Sequence, residues 1–517
     1  MVIRSRTVWK AGRRCRTIVI IGAGFSGTAI AVRLLRQPPA GTCRLILIER
    51  NARFGPGLAY AGQFPSALLN VPAGRMSLDE HNPSDFVDYL RSRGCLVAPH
   101  DFVRRDLYGD YLETRLRAAA RTFPTRIELV QMNGLAQSIT RVTDEDAWSV
   151  DLEDGRAVLA DEVVLALGHF APCSPDALRP VMASGLYCAD PWSTFEPVAA
   201  PRRVLLVGTG LTMADVACHL MRQPVAPQEI LAVSRRGLLP QTRPDEVPSE
   251  KNFAVELGAL AHRTTSVREW LSTTRDLAAA VGEWDGDWRD VIAALRDRAP
   301  DLWHRLGHRE RARFLRHVQP YWDIHRHQLP PAIGKALASW IEQKRLRTRA
   351  ARIVSAHTEQ GSVVVDFRAR GATDIERYTA DYVVNCTGPE YHPRSVQSPL
   401  VGSLLRAGYL TADSTGSGLQ VDARGQLIGR HQKVSRGLYY LGPWLRARDF
   451  EATAVPELRR LASSLAQELR SHSHKVETHV PQRIEADDPA NLSVRRVRRQ
   501  AQAGATPSNR SSTSSAE

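Results

Sequence analysis

Thr17-Ile18-Val19-Ile20-Ile21-Gly22-Ala23-Gly24-Phe25-Ser26-Gly27 decides how the rest of the chain is read. A short apolar run of buried-strand type feeds directly into Gly-x-Gly-x-x-Gly. The first glycine permits a tight turn, and the second lets the backbone approach a pyrophosphate. The third lets the following helix pack close, with its positive end facing the phosphates. That helix carries Ala29, Ile30, Val32, Leu34 and Leu35 on its apolar side and stops at Pro38-Pro39. A second strand, Leu45-Ile46-Leu47-Ile48, ends in Glu49, near the roughly 20-residue offset at which an acid accepts hydrogen bonds from a ribose. Gly22, Gly24, Gly27 and Glu49 are therefore assigned to a dinucleotide.

The pattern returns at Val204-Leu205-Leu206-Val207, followed by Gly208-Thr209-Gly210-Leu211-Thr212-Met213-Ala214. Met213 stands where a third glycine is usual, with Ala214 beside it. The next strand, Ile230 to Val233, ends in Ser234-Arg235-Arg236-Gly237 instead of an acid. A hydroxyl and two guanidiniums suit a ribose 2′-phosphate, which favours NADPH; a solvated basic turn is the other reading, so NADH and NADPH both stay open. Two dinucleotide sites in one chain imply electrons passing between two cofactors, hence a flavin-dependent oxidoreductase.

Ala160 to Gly168 and Ala380 to Gly388 echo each other, each an apolar strand ending in glycine after an expected hairpin, one turning at Glu153-Asp154-Gly155 and one near Gln360-Gly361. Each strand is expected to return the chain from a small antiparallel layer to a nucleotide-binding sheet. The fold class is α/β, with two Rossmann-like dinucleotide-binding domains and a mostly helical insertion. The expected division is a basic leader at 1–16, an FAD-binding domain at 17–200 and 380–475, an NAD(P)H-binding domain at 201–379 with the insertion at about 244–334, and a disordered tail at 483–517.

At 517 residues and 43% hydrophobic content the chain is long enough for two domains with large cores. It has no apolar run near the ~20 residues needed to span a bilayer. The leader is basic but lacks a secretory apolar stretch, so a cytoplasmic protein without membrane partners is expected. Seven scattered cysteines without C-x-x-C argue against a disulfide framework, a zinc site and a dithiol mechanism. The net charge of +14 is concentrated partly in the leader and in Arg495-Arg496-Val497-Arg498-Arg499, with no basic-aromatic platform, so no nucleic-acid partner is expected.

Within the insertion, Phe314 to His327 concentrates aromatic and titratable side chains. His325 and His327 lack the acidic or cysteine partners of a familiar metal set, so no metal is assigned. Pro320 begins or kinks a helix there. The segment reads either as a hydrogen-bonded core of the insertion or as a substrate pocket whose aromatic walls and cationic donors suit a planar anion.

Gly55-Pro56-Gly57-Leu58-Ala59-Tyr60, Leu68 to Ser77, Tyr108-Gly109-Asp110-Tyr111-Leu112, Asp190-Pro191-Trp192, Ser234 to Pro240, Phe314 to His327, Asn385 to Pro389 and Ala454 to Arg459 together resemble the HpyO/CreE type of FAD/NAD(P)-binding flavoproteins, over nearly the whole chain. The characterised activities of that family are monooxygenations, by an FAD-dependent urate hydroxylase and by an N-monooxygenase of aspartate. The resemblance implies FAD on Gly22, Gly24, Gly27 and Glu49, with Asn70 and Arg75 near the isoalloxazine and Thr387, Gly388 and Gly442 close by. It implies NADH or NADPH on Gly208, Gly210, Ser234, Arg235 and Arg236, and a helix starting around Ala454 aimed at the flavin. The FxGxxxHxxx(Y/F) fingerprint of classical flavin monooxygenases is not evident; Gly185 to Trp192 occupies its place. The favoured expectation is conversion of urate, O2 and NAD(P)H to 5-hydroxyisourate in purine breakdown, with Trp322 stacking, Arg326 holding charge, and His317 or His325 as base. N-hydroxylation of an amino acid or other small amine is the alternative, as is an NAD(P)H oxidase or redox flavoprotein.

Overall fold

The computed structural model describes residues 15–122, 126–142, 147–193, 195, 200–245, 265–284 and 286–471. The leader through residue 14, residues 246–264 of the insertion and the expected tail lie outside them. In chain order the strands are β1 Arg16–Ile21, β2 Cys43–Glu49, β3 Ile127–Asn133, β4 Ala136–Val142, β5 Ala147–Leu152, β6 Ala157–Ala160, β7 Glu162–Leu165, β8 Tyr187–Cys188, β9 Arg203–Val207, β10 Glu229–Ser234, β11 Leu346–Glu359, β12 Ser362–Ala369, β13 Ile375–Ala380, β14 Tyr382–Asn385, β15 Gln426–Ile428 and β16 Val434–Tyr440.

They form two α/β sheets of the Rossmann type. The first has the order β15-β16-β7-β1-β2-β3, parallel except at β15–β16. The second has the order β13-β12-β11-β10-β9-β14-β8, parallel from β8 to β11 and antiparallel beyond. β4-β5-β6 make a separate antiparallel layer. β1, β2 and β9 are almost wholly buried, the continuous apolar pattern of parallel strands covered on both faces. The two sheets repeat one plan: strand, glycine turn, helix, strand, an excursion, an antiparallel layer, and a buried strand returning beside the first. In the first half the return is β7 beside β1; in the second it is β14 beside β9.

Three expected boundaries change. Arg16 begins β1 instead of ending the leader, because its guanidinium is buried in an ion pair with Glu162, Nε to Oε2 2.9 Å. β8 and β14 pair with each other in the second sheet, so neither residues 187–188 nor 382–385 belong with the first sheet. The chain re-enters the first sheet at β15 and β16. The expected helical insertion runs between β10 and β11 as the helices Val267–Ala280, Trp288–Arg305, His308–Arg313, Gln319–Arg326 and Pro331–Glu342, with one turn of π-helix at Phe314–Val318. Among the described residues no helix is long and apolar enough to cross a membrane.

Candidate cofactor and active site

The first glycine turn joins β1 to the helix Phe25–Arg36. Gly22 has φ +101°, and a Cβ there would collide with the carbonyl oxygen of Ala166 after β7. A Cβ on Gly27 would strike the Gly22 carbonyl, so helix and strand meet backbone to backbone. Gly24 precedes a helix with neither a side-chain cap nor an acidic residue in its first turn. Its first amides are thus left for an anion, as a dinucleotide pyrophosphate requires. Glu49 is buried at the end of β2; Oε2 accepts from the Ala23 amide at 2.7 Å and Oε1 from the Asn51 amide at 3.0 Å. That holds the carboxylate beside the turn.

The second turn repeats this geometry in more open surroundings. Gly208 has φ +121° and abuts the Cys386 carbonyl after β14, while nothing lies within contact distance of a Cβ on Gly210. The helix Leu211–Met221 again has no cap and no acid in its first turn, and Met213 replaces the third glycine by turning wholly into the core. A cleft of about 1570 Å³ opens here, lined among others by Gly208, Gly210, Ser234, Arg235, Arg236, Thr387 and Gly388. Thr387 and Gly388, expected near FAD, therefore face the second turn, because β14 lies in the second sheet. The Ser234 hydroxyl braces the turn, 2.9 Å from Thr209 Oγ1 and accepting from the Gly237 amide at 2.9 Å. Arg236 donates to the carbonyls of Arg316 at 2.9 Å and His317 at 3.2 Å, whereas Arg235 is exposed to the cleft. Arg352, Arg368 and Arg370 add further exposed cations to its wall.

The cleft is also lined by His169, Asp323, His327, Tyr391, Arg446 and Glu451. Glu451 is buried and accepts from Trp322 Nε1 and Arg326 Nε, each at 2.9 Å. Burial opposes its charge, but Arg326 and His327 hold its carboxyl below the usual range. Asp323 is in a recess: water reaches 40% of its side chain, yet protein surrounds it closely. Burial raises it to about 6 against the pull of Arg446. Burial, with Arg326 adding repulsion, lowers His327 to about 4, and burial beside Arg446 does the same for His169. His327 Nε2 lies 3.9 Å from Asp323 Oδ1.

The four residues expected to act on substrate are thus divided. Trp322 and Arg326 converge on Glu451. His317 is exposed and His325 is turned aside, with Nδ1 2.7 Å from the Tyr321 carbonyl and its ring edge on Trp288; neither lines the cleft. The π-turn ends at Val318 and the next helix begins at Gln319 with Pro320 in its first turn, which separates the two histidines. Nothing local in the sequence marks Asp323 or Glu451, and His327 enters the sequence reading by name only as a rejected metal ligand. Among the described residues no cluster suits a metal ion. Asn70 is half-buried in the segment running beside Val103 to Arg105, and Arg75 ends the short turn Ala73–Arg75 in the field of Arg296 and Glu457. Gly442 opens the turn Pro443–Ala447, which buries Trp444 against Phe170 at 4.6 Å. The helix Val455–Ser471 carries Glu457 in its first turn, paired with Arg296 Nε at 2.8 Å, so part of its positive end is already neutralised.

Residues 19–170 match a family described as FAD-NAD(P)-binding. The fold is that of the Kutzneria sp. 744 ornithine N-hydroxylase, with TM-score 0.57 and 18% identity over 88% of this chain and 99% of that one. It is also that of the ornithine hydroxylase PvdA of Pseudomonas aeruginosa, with TM-score 0.58 and 16% identity over 88% of this chain and 100% of that one. Among curated proteins, the tRNA 5-methylaminomethyl-2-thiouridine biosynthesis bifunctional protein MnmC of Chromohalobacter salexigens is 27% identical over 33% of this chain. The match spans 31% of that relative's length.

Proposed function

We propose that this protein is an FAD- and NAD(P)H-dependent monooxygenase that hydroxylates a small molecule, with FAD on the first glycine turn and NAD(P)H on the second. One observation carries this reading: one cleft joins the second glycine turn to the recess of Asp323, His327 and Glu451. The uncapped helix ends and the backbone contacts at Gly22 and Gly208 fit two dinucleotides, and the similarity to N-hydroxylases supports oxygen chemistry. FAD, once reduced by NAD(P)H, supplies the activation of O2.

The chain's own part is to bind, orient and move protons. Asp323 Oδ1 is a carboxylate above pH of about 6 and accepts a proton from the substrate nitrogen. His327, neutral above about 4, stands beside it without competing for charge. Glu451 fixes Trp322 and Arg326, and the Arg326 charge expected to hold urate is already paired with Glu451, which supports the amine reading over the urate one. The test follows NADH and NADPH oxidation, O2 uptake, peroxide and product mass with FAD-loaded protein, offering an amino-acid and polyamine panel and urate. Acceleration by an amine with a product heavier by one oxygen is expected. Peroxide released in step with reductant for every compound removes the monooxygenase reading, and urate loss coupled to reductant restores the urate one.

A further inference from the structure

Arg105 ties the two halves of the molecule together. It opens the helix Arg105–Thr122, and its guanidinium reaches Asp215 on the helix Leu211–Met221, one turn in from the uncapped end at the second glycine turn. Arg105 Nη2 lies 2.8 Å from Asp215 Oδ2, and water reaches only 16% and 11% of the two side chains. The same guanidinium donates from Nε to the Leu68 carbonyl at 3.0 Å and lies over the Trp192 ring at 5.1 Å. The Arg105 amide donates to the Ala67 carbonyl at 3.0 Å. Phe64 and Ala67 follow the first glycine turn in sequence, yet they pack in the core of the second half with Val204, Leu206 and Met213. Phe64 meets Trp192 at 5.2 Å and His219 of the second glycine helix at 5.0 Å. One turn after Arg105, the buried Tyr108 stacks on Phe25, the first residue of the helix behind the first glycine turn, at 6.4 Å. The bridge between Leu68 and Arg104, with the Leu69 amide on the Val103 carbonyl, fixes the segment that leads to Asn70. One helix thus touches both glycine helices and that segment.

Stability does not account for the buried pair. Burial pushes the Asp215 carboxyl up, and Arg105 pulls it back only in part. Two ions withdrawn from water lose about as much hydration as their attraction returns, so an apolar pair of similar volume would join the helices as well. What an apolar contact lacks is direction: it can slide, whereas a guanidinium fastened at once to a carbonyl, a ring and a carboxylate admits one placement. Such placement matters where a reaction joins groups held by two halves, because a misplacement of about 1 Å costs on the order of a hundredfold in rate.

We infer that Arg105 is a positioning residue: through Asp215 it sets the second glycine helix against the first, and so the path by which a hydride leaves the reduced nicotinamide, which is oxidised, for the flavin, which is reduced. This role rests on the monooxygenase reading, in which the two turns hold FAD and NAD(P)H. The test compares the full-length chain with the apolar double variant Arg105→Met/Asp215→Leu. It measures the thermal midpoint with and without FAD, bound flavin, and anaerobic flavin reduction at varied NADH and NADPH. The midpoint and flavin content should match the parent's, with the nucleotide dissociation constant within about twofold, while the limiting rate of reduction falls at least about tenfold. The long-wavelength absorbance of nicotinamide stacked on flavin should weaken in parallel. Asp215→Asn, which keeps the shape and loses the charge, should slow reduction in the same direction, and serves if the double variant does not fold. Arg105→Lys should keep part of the rate, and Arg117→Met, at an exposed site on the same helix, should change nothing. A limiting rate equal to the parent's, or one that falls only as far as bound flavin falls, overturns the inference. A parent that neither nucleotide reduces removes the monooxygenase reading, and the positioning role with it.

Discussion

The two glycine turns are built alike and finished differently. In each, a glycine with positive φ presses on the carbonyl that follows a returning strand, Ala166 in the first and Cys386 in the second. The first turn is closed in: Glu49 holds its amide, and Gly57, whose added Cβ would stand 2.8 Å from Gly24 Cα, packs on it. The second is open around Gly210, and its strand ends in Ser234-Arg235-Arg236 above a cation-lined cleft. A closed turn suits a nucleotide that stays, and an open one a nucleotide that comes and goes. On the proposed reading, the repeated motif seats each pyrophosphate, while the residues closing each second strand set the ribose contacts and the exchange.

The largest effect should come from breaking the turns one at a time. Gly22→Ala adds strain at φ +101° and a backbone collision, costing on the order of 3 kcal/mol or more, and should yield unstable protein without bound flavin. Gly208→Ala carries the same collision but should retain FAD, with the rate of flavin reduction by NAD(P)H falling at least a hundredfold. Flavin content and anaerobic reduction read the two out, and equal flavin loss in both variants would dissolve the division of labour.

A smaller effect separates the adjacent arginines. Arg235→Ala should weaken NADPH about tenfold, on the order of 1.4 kcal/mol, and leave NADH nearly unchanged. Arg236→Ala should matter less for nucleotide choice, because that guanidinium already serves the carbonyls of Arg316 and His317. Nucleotide dissociation constants measured for both variants check the order.

The smallest effect lies in the recess and is read in pH. Between about pH 4.5 and 6, His169 and His327 stay neutral in the folded protein while their unfolded counterparts bind protons, so each removes stability as pH falls. Asp323 works the other way, since the folded protein protonates near 6 and the unfolded chain only near its ordinary value. Two losses against one gain leave a net slope of one proton from these groups. His327→Gln should flatten the urea-unfolding free energy in that window by about 1.4 kcal/mol per pH unit relative to the parent. An unchanged slope would mean that His327 is not held neutral.

The sequence by itself determined both glycine turns, the hairpins at Gly155 and Gly361, and the helical insertion between β10 and β11. These depend on contacts within a few residues, where glycine placement, continuous apolar runs and chain breakers act directly. Only the tertiary structure decided that β14 joins the second sheet, which carries Thr387 and Gly388 to the second turn. It also decided which charged residues face one another. Glu451 meets Trp322 and Arg326 across well over a hundred residues of chain. Arg243 comes within the field of Arg326 because a short backbone bridge at Thr242 lays two distant segments side by side. Pairings of that kind depend on packing between elements, and no local spacing encodes them.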